Sequence, residues 1–150
     1  MDLSQLKWPL IVVVIVLGWW LISDPGVDFM YKRFTQEAPG YDVEKDKVNE
    51  AGLSRLGGFL LKTFRYKRCQ EVLQRSIDLY PEGANALYNQ YRLAKCAEKL
   101  DNYVEAVRIL DYLRSIDAHT VDKRVPEKEN LKLRADKLRE THELGEVSGF

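Results

Sequence analysis

Metal and redox chemistry find little to work with in this chain. Its 150 residues include two cysteines and two histidines, and Cys69, Cys96, His119 and His142 share no metal-ligand spacing, so no zinc or haem signature forms. Lys and Arg together number 23, as do Asp and Glu, which leaves no basic surplus for a nucleic-acid footprint. The glycines of Gly52-Leu53-Ser54-Arg55-Leu56-Gly57-Gly58 lack the Gly-Lys-Ser/Thr run of a phosphate loop and read instead as close helix packing. Neither histidine has a Cys or Ser partner at a recognisable spacing, and both read as surface residues. Both cysteines read as small buried hydrophobes, with a disulfide between them conceivable only in an oxidising compartment. No catalytic residue, cofactor, metal, nucleic acid or small-molecule substrate is expected.

Long apolar runs are scarce too, with one exception. Trp8 to Ser23 carry no charge and are dominated by Ile, Val and Leu. As a helix they span roughly 24 Å, short of a hydrocarbon core of about 30 Å. Lys7 can snorkel, and Trp8, Trp19 and Trp20 suit interfacial belts, which brings the segment to spanning length. Pro9 is expected in the first turn, where its missing N–H costs little, and Asp24-Pro25-Gly26 is expected to stop the helix. A cleaved leader has a similar length, but the Trp-Trp-Leu-Ile-Ser-Asp-Pro exit lacks the small residues of a cleavage site. The expectation is therefore a single-pass membrane anchor. Lys7 with the amino terminus nearly balances Lys32 with Arg33 across it. The short leading tail favours an extracytoplasmic domain.

Past the anchor, Val27, Met30, Tyr31 and Phe34 fall at i, i+3, i+4 and i+7, one amphipathic helical stripe. It fits a helix lying on the membrane or on a neighbouring subunit, and equally a linker helix packed on the chain's own domain. Thr35 to Asp46, with Pro39-Gly40, reads as a loop. About 125 residues remain beyond the apolar run, enough for one modest domain.

That domain repeats itself. Leu53-x-x-Leu56-Gly57-x-x-Leu60, Tyr66, Cys69-x-x-x-Leu73, Ser76 and Pro81 recur thirty-seven residues later as Gln90-x-x-Leu93-Ala94-x-x-Ala97, Tyr103, Ala106-x-x-x-Leu110, Leu113 and Ala118. Small residues at Gly57 and Cys69, then at Ala94 and Ala106, allow close approach of two helices. Tyr66 and Tyr103 sit beside the turn between them, and Pro81 ends the first unit. A generic four-helix bundle is the plainer reading of the same apolar faces. Leu131, Ala135, Leu138 and His142 place a single apolar stripe on the charged stretch Glu127 to Leu144, as a solvating end helix requires.

These spacings, with the run Asn102-Tyr103-Val104-Glu105-Ala106, resemble the tetratricopeptide repeat over Glu50 to Ala118. Gln90, Ala97 and Ala118 stand where that family carries bulky residues and a closing proline. The resemblance implies a solenoid of helical hairpins; with the apolar N-terminal run as a transmembrane helix and the charged stretch as a C-terminal capping helix, the expected fold is all-α. The expected layout is tail 1–7, transmembrane helix 8–23, juxtamembrane segment and linker 24–46, repeats within 47–118 (about 50–83 and 87–118), loop and cap 119–144, and tail 145–150.

The resemblance further implies protein binding in a groove lined by first helices, here presenting Tyr88, Tyr91, Lys95 and Glu98. The alternative is that both tyrosines pack against the cap helix or the preceding repeat. The expected partners are proteins, subunits of a membrane complex, with the bilayer holding the N-terminal helix. The expected function is an interaction adaptor or assembly subunit, not an enzyme. A membrane-tethered chaperone is the alternative.

Overall fold

The computed structural model describes residues 3–145 and is all-helical: α1 Leu3–Ile22, α2 Asp24–Thr35, α3 Val43–Lys62, α4 Tyr66–Leu79, α5 Ala86–Lys99, α6 Tyr103–Ser115, α7 Ala118–Val121 and α8 Lys128–Thr141. The expected tail beyond Gly145 lies outside the described residues, as do Met1 and Asp2. The chain divides into two compact units, residues 1–37 and residues 38–150.

In the first unit α1 begins earlier than expected, so Pro9 lies inside the helix and not in its first turn. Having no N–H, Pro9 leaves the carbonyl of residue 5 without its helical donor. Asp24-Pro25-Gly26 does end α1, but it opens α2 with Pro25 in the first turn instead of forming a loop. The two helices meet at Ser23 with a bend of 69°. Hydrogen bonding continues through the elbow: Ser23 N–H donates to the Trp19 and Trp20 carbonyls, each at 3.1 Å, and Val27 N–H donates to Ser23 O at 3.0 Å. Gly26 is required there, since a Cβ would overlap the Trp20 carbonyl oxygen and come within 2.7 Å of Leu21 Cα. Among the described residues no single helix is long and apolar enough to cross a membrane. Lys7–Ile22 and Asp24–Thr35 reach that length and composition only as the bent pair.

The second unit is built from α3 to α8. The expected loop shortens to residues 36–42, because α3 starts at Val43. The missed signal is Asp42, whose carboxylate accepts from Glu44 N–H at 3.0 Å and Lys45 N–H at 3.2 Å, an N-cap that starts the helix about one turn early. Helices α3 to α6 each pack on the next along the chain, α8 packs on α6 beyond the short α7, and α3 also reaches α5. Three-residue connections turn α3 into α4 and α5 into α6, forming two hairpins.

The thirty-seven-residue period of the sequence is also a period of the backbone. Helices α3 and α5 end at Lys62 and Lys99, and α4 and α6 begin at Tyr66 and Tyr103. Both turns place a non-glycine residue in the left-handed region, Phe64 at φ 61° and Asp101 at φ 60°. Both close with the same pair of bonds, Arg65 N–H to Leu60 O and Phe64 N–H to Leu61 O, then Asn102 N–H to Ala97 O and Asp101 N–H to Glu98 O. This is the Schellman termination, which uses up carbonyls that the helix end leaves free. In the second turn the Asn102 side chain also caps α6 by accepting from Glu105 N–H.

The small residues lie where close approach needs them. A Cβ on Gly57 would fall within 2.7 Å of Leu73 Cγ, and the Cys69 thiol donates to the Gly57 carbonyl at 3.4 Å. Ala94 and Ala106 are buried at the equivalent places. The cap helix α8 is shorter than expected at both ends, with Glu127 at its N-cap. It packs on α6 through buried Leu131, Ala135 and Leu138, while His142 stacks on Tyr103 with ring centroids 3.4 Å apart. The histidines are thus not plain surface residues: both are half-buried, and His119 Nδ1 lies 2.7 Å from the Val125 carbonyl oxygen.

Leu73 is fully buried and has no room to swing away from a side chain on Gly57. Replacing Gly57 with Val should therefore lower unfolding stability by about 2 kcal/mol or more in denaturant titration, outweighing the gain in helix propensity.

Candidate partner-binding face

The four residues expected on one face of α5 do share it, but they differ in how much surface they offer. Tyr91 is only 8% exposed, because α8 lies alongside and Leu131, Leu138 and Tyr91 line one depression. Lys95 and Glu98 are half-buried. The Lys95 ammonium sits 4.5 Å from the Tyr91 ring centre. The Glu98 carboxylate accepts from Arg134 of α8 through Nε at 3.0 Å and Nη2 at 2.6 Å. Tyr88, also half-buried, has the guanidinium groups of Arg92 and Arg124 over its ring at 4.1 and 4.8 Å. Packing by the chain's own elements thus accounts for most of the Tyr91 surface, as the alternative reading had it.

What stays open is a groove of about 560 Å³ between α5 and α8. Its outer wall comes from the α8 residues Asn130, Leu133, Arg134 and Lys137, which fall at i, i+3, i+4 and i+7. Leu133 is 69% exposed. Sequence reading missed this wall because Leu133 lies off the Leu131, Ala135, Leu138 stripe that marks the buried side of α8. The one local signal was a leucine on an otherwise charged face.

On the hairpin before it, the part of α3 that carries Ser54 and Gly58 is covered by Arg92. A Cβ on Gly58 would lie 3.1 Å from the Arg92 guanidinium, and Arg92 donates to Ser54 O at 3.0 Å and to Ser54 Oγ at 3.2 Å. Ser54 Oγ in turn donates to Asn89 Oδ1 at 2.8 Å, and Asn89 Nδ2 donates to Ser76 Oγ at 3.2 Å. Ser54, Asn89 and Ser76 are all buried. Nearby, the buried Glu50 carboxylate accepts from Asn85 N–H at 2.8 Å and from Asn85 Nδ2 at 2.7 Å. Arg124 then ties its loop to the same corner, donating to Asn85 Oδ1 at 2.7 Å and Ala84 O at 3.0 Å. Apart from Asn89 and Ser76, 13 residues apart, these partners are 35 to 40 residues apart, so no local pattern reveals them.

Cys69 and Cys96 are free and fully buried. The hydrogen bond between the two thiols, with burial, holds the Cys69 thiol far above the ordinary range, so it is not a nucleophile at neutral pH. Among the described residues no group of three or more His, Cys, Asp or Glu is placed to hold a metal ion.

Truncating the two tyrosines should separate packing from surface. Tyr91→Ala is expected to cost about 3 kcal/mol of unfolding free energy and Tyr88→Ala about 1 kcal/mol, read by denaturant titration. A thiol reagent such as Ellman's should titrate neither cysteine in the native protein and both in denaturant. Comparison with known proteins returns no match, whether to a protein-family model, a curated protein or a solved structure.

Proposed function

We propose that this protein is a membrane-anchored interaction adaptor: α1 fixes it in a bilayer, and a tetratricopeptide-like module of α3 to α8 holds a partner protein. The observation that carries this reading is the surface of α1. Apolar side chains from Leu10 to Leu17 and from Trp19 to Ile22 are exposed on every side of the helix, each by 42% or more. An apolar surface without a polar face is costly in water and is matched by lipid. Trp19 and Trp20 near its end suit the headgroup level.

The module supports the second half of the proposal. Its two hairpins repeat with one period, their turns share one geometry, and α8 closes the stack with a charged outer face, the arrangement expected of a short capped array. The groove between α5 and α8 supplies an apolar anchor point at Leu133 with the Lys137 cation beside it. Its partner is expected to be a subunit of a membrane complex, held on the extracytoplasmic side.

Alkaline carbonate should leave the protein in the membrane pellet, and release into the supernatant would overturn the anchor. Gentle detergent purification should bring down a partner in fixed ratio, and Leu133→Glu with Lys137→Glu should remove it while helical content stays unchanged. A spread of weak, substoichiometric clients would instead mark a tethered chaperone.

A further inference from the structure

The stripe that the sequence marks on α2 is not the face that α2 offers outward. Val27 is fully buried, and Met30, Tyr31 and Phe34 are half-buried. The exposed side carries Phe29, Lys32, Arg33 and Gln36, at i, i+3, i+4 and i+7, with Asp28 exposed beside Lys32. Phe29 is 58% exposed, and with Lys32 and Arg33 it borders a shallow depression.

The elbow fixes where that side points. Phe29 touches Trp20 of α1, with ring centroids 5.9 Å apart and planes at 50°. Gly26, less than one turn before Phe29, is pressed against the backbone of Trp20 and Leu21. Gly26, Phe29 and Arg33 therefore lie on the inner side of the bend, the side along which α1 runs. With α1 near the bilayer normal, a bend of 69° leaves α2 roughly 20° from the membrane plane. Its inner side then faces the lipid. Phe29 points down beside Trp20, and Lys32 and Arg33 sit in the last turn at headgroup level.

We propose that α2 lies on the surface of the bilayer that α1 enters and that Lys32 and Arg33 hold anionic phospholipid headgroups there, with Phe29 inserted beside Trp20. This rests on the reading of α1 as a membrane anchor. Anionic lipid is the occupant because the exposed apolar ring and two cations form one surface continuous with the apolar surface of α1. Aromatic insertion with cations at phosphate depth is how an interfacial helix binds such a membrane.

The test uses the full chain in nanodiscs of phosphatidylcholine alone and of phosphatidylcholine mixed with phosphatidylglycerol. Migration with the disc reads the anchor, and hydrogen exchange of the amides from Phe29 to Thr35 reads the headgroup contact. Exchange should be roughly tenfold slower in the anionic discs at low salt, and the difference should shrink as salt is raised. Lys32→Gln with Arg33→Gln should stay in the disc and lose the difference, with circular dichroism unchanged. Equal exchange in both lipids, or a difference that survives the double substitution, overturns the headgroup site while leaving the anchor standing. A chain that fails to enter either disc overturns both.

Discussion

The second unit depends on one buried junction, where the Asn89 amide joins Ser54 of α3 and Ser76 of α4 to α5. Asn89 is fully buried, and leaving such a group unpaired costs more than the bonds return when made. The three helices must therefore meet in the register that satisfies it. An apolar stripe tolerates sliding by a turn, whereas this junction does not. Arg92 extends the constraint, because its bonds to Ser54 lay its guanidinium over Gly58, 3.1 Å from where a Cβ would stand.

With that register fixed, the rest follows by contact. The Glu50–Asn85 bonds hold the loop that leads into α5. Arg124 brings the segment before α8 against the same loop. The ion pairs of Arg134 with Glu98 and of Arg139 with Asp111 fasten α8 to α5 and α6. The groove beside Leu133 is what remains between α5 and α8 after these bonds are made. Its shape is thus a product of long-range polar contacts more than of any groove-lining motif.

In the first unit the controlling constraint is steric. Gly26 allows α2 to start against the last turn of α1, and that contact sets which side of α2 faces along α1. Apolar periodicity located the buried stripe of α2 correctly as a stripe. It gave no means of marking the exposed side, which carries one aromatic ring among polar and charged residues. Phe29 lies off the stripe and was passed over for that reason, as was Leu133 on α8.

Much was legible without coordinates because it rests on local chemistry. The all-helical class, the thirty-seven-residue period, the close-packed small residues at Gly57 and Cys69, the break after Ile22 and the buried stripe of α8 all follow from apolar spacing, residue size and proline geometry, which act over a turn or two. The early start of α3 was legible in principle, through the cap at Asp42. Other features were decided only when distant segments met: the burial of Tyr91, the clasp of Arg92 and Arg124 on Tyr88, the junction at Asn89, and the outward side of α2. These depend on which atoms remain for a side chain to meet after the helices have packed, and pairs some 35 residues apart in sequence leave no periodic trace.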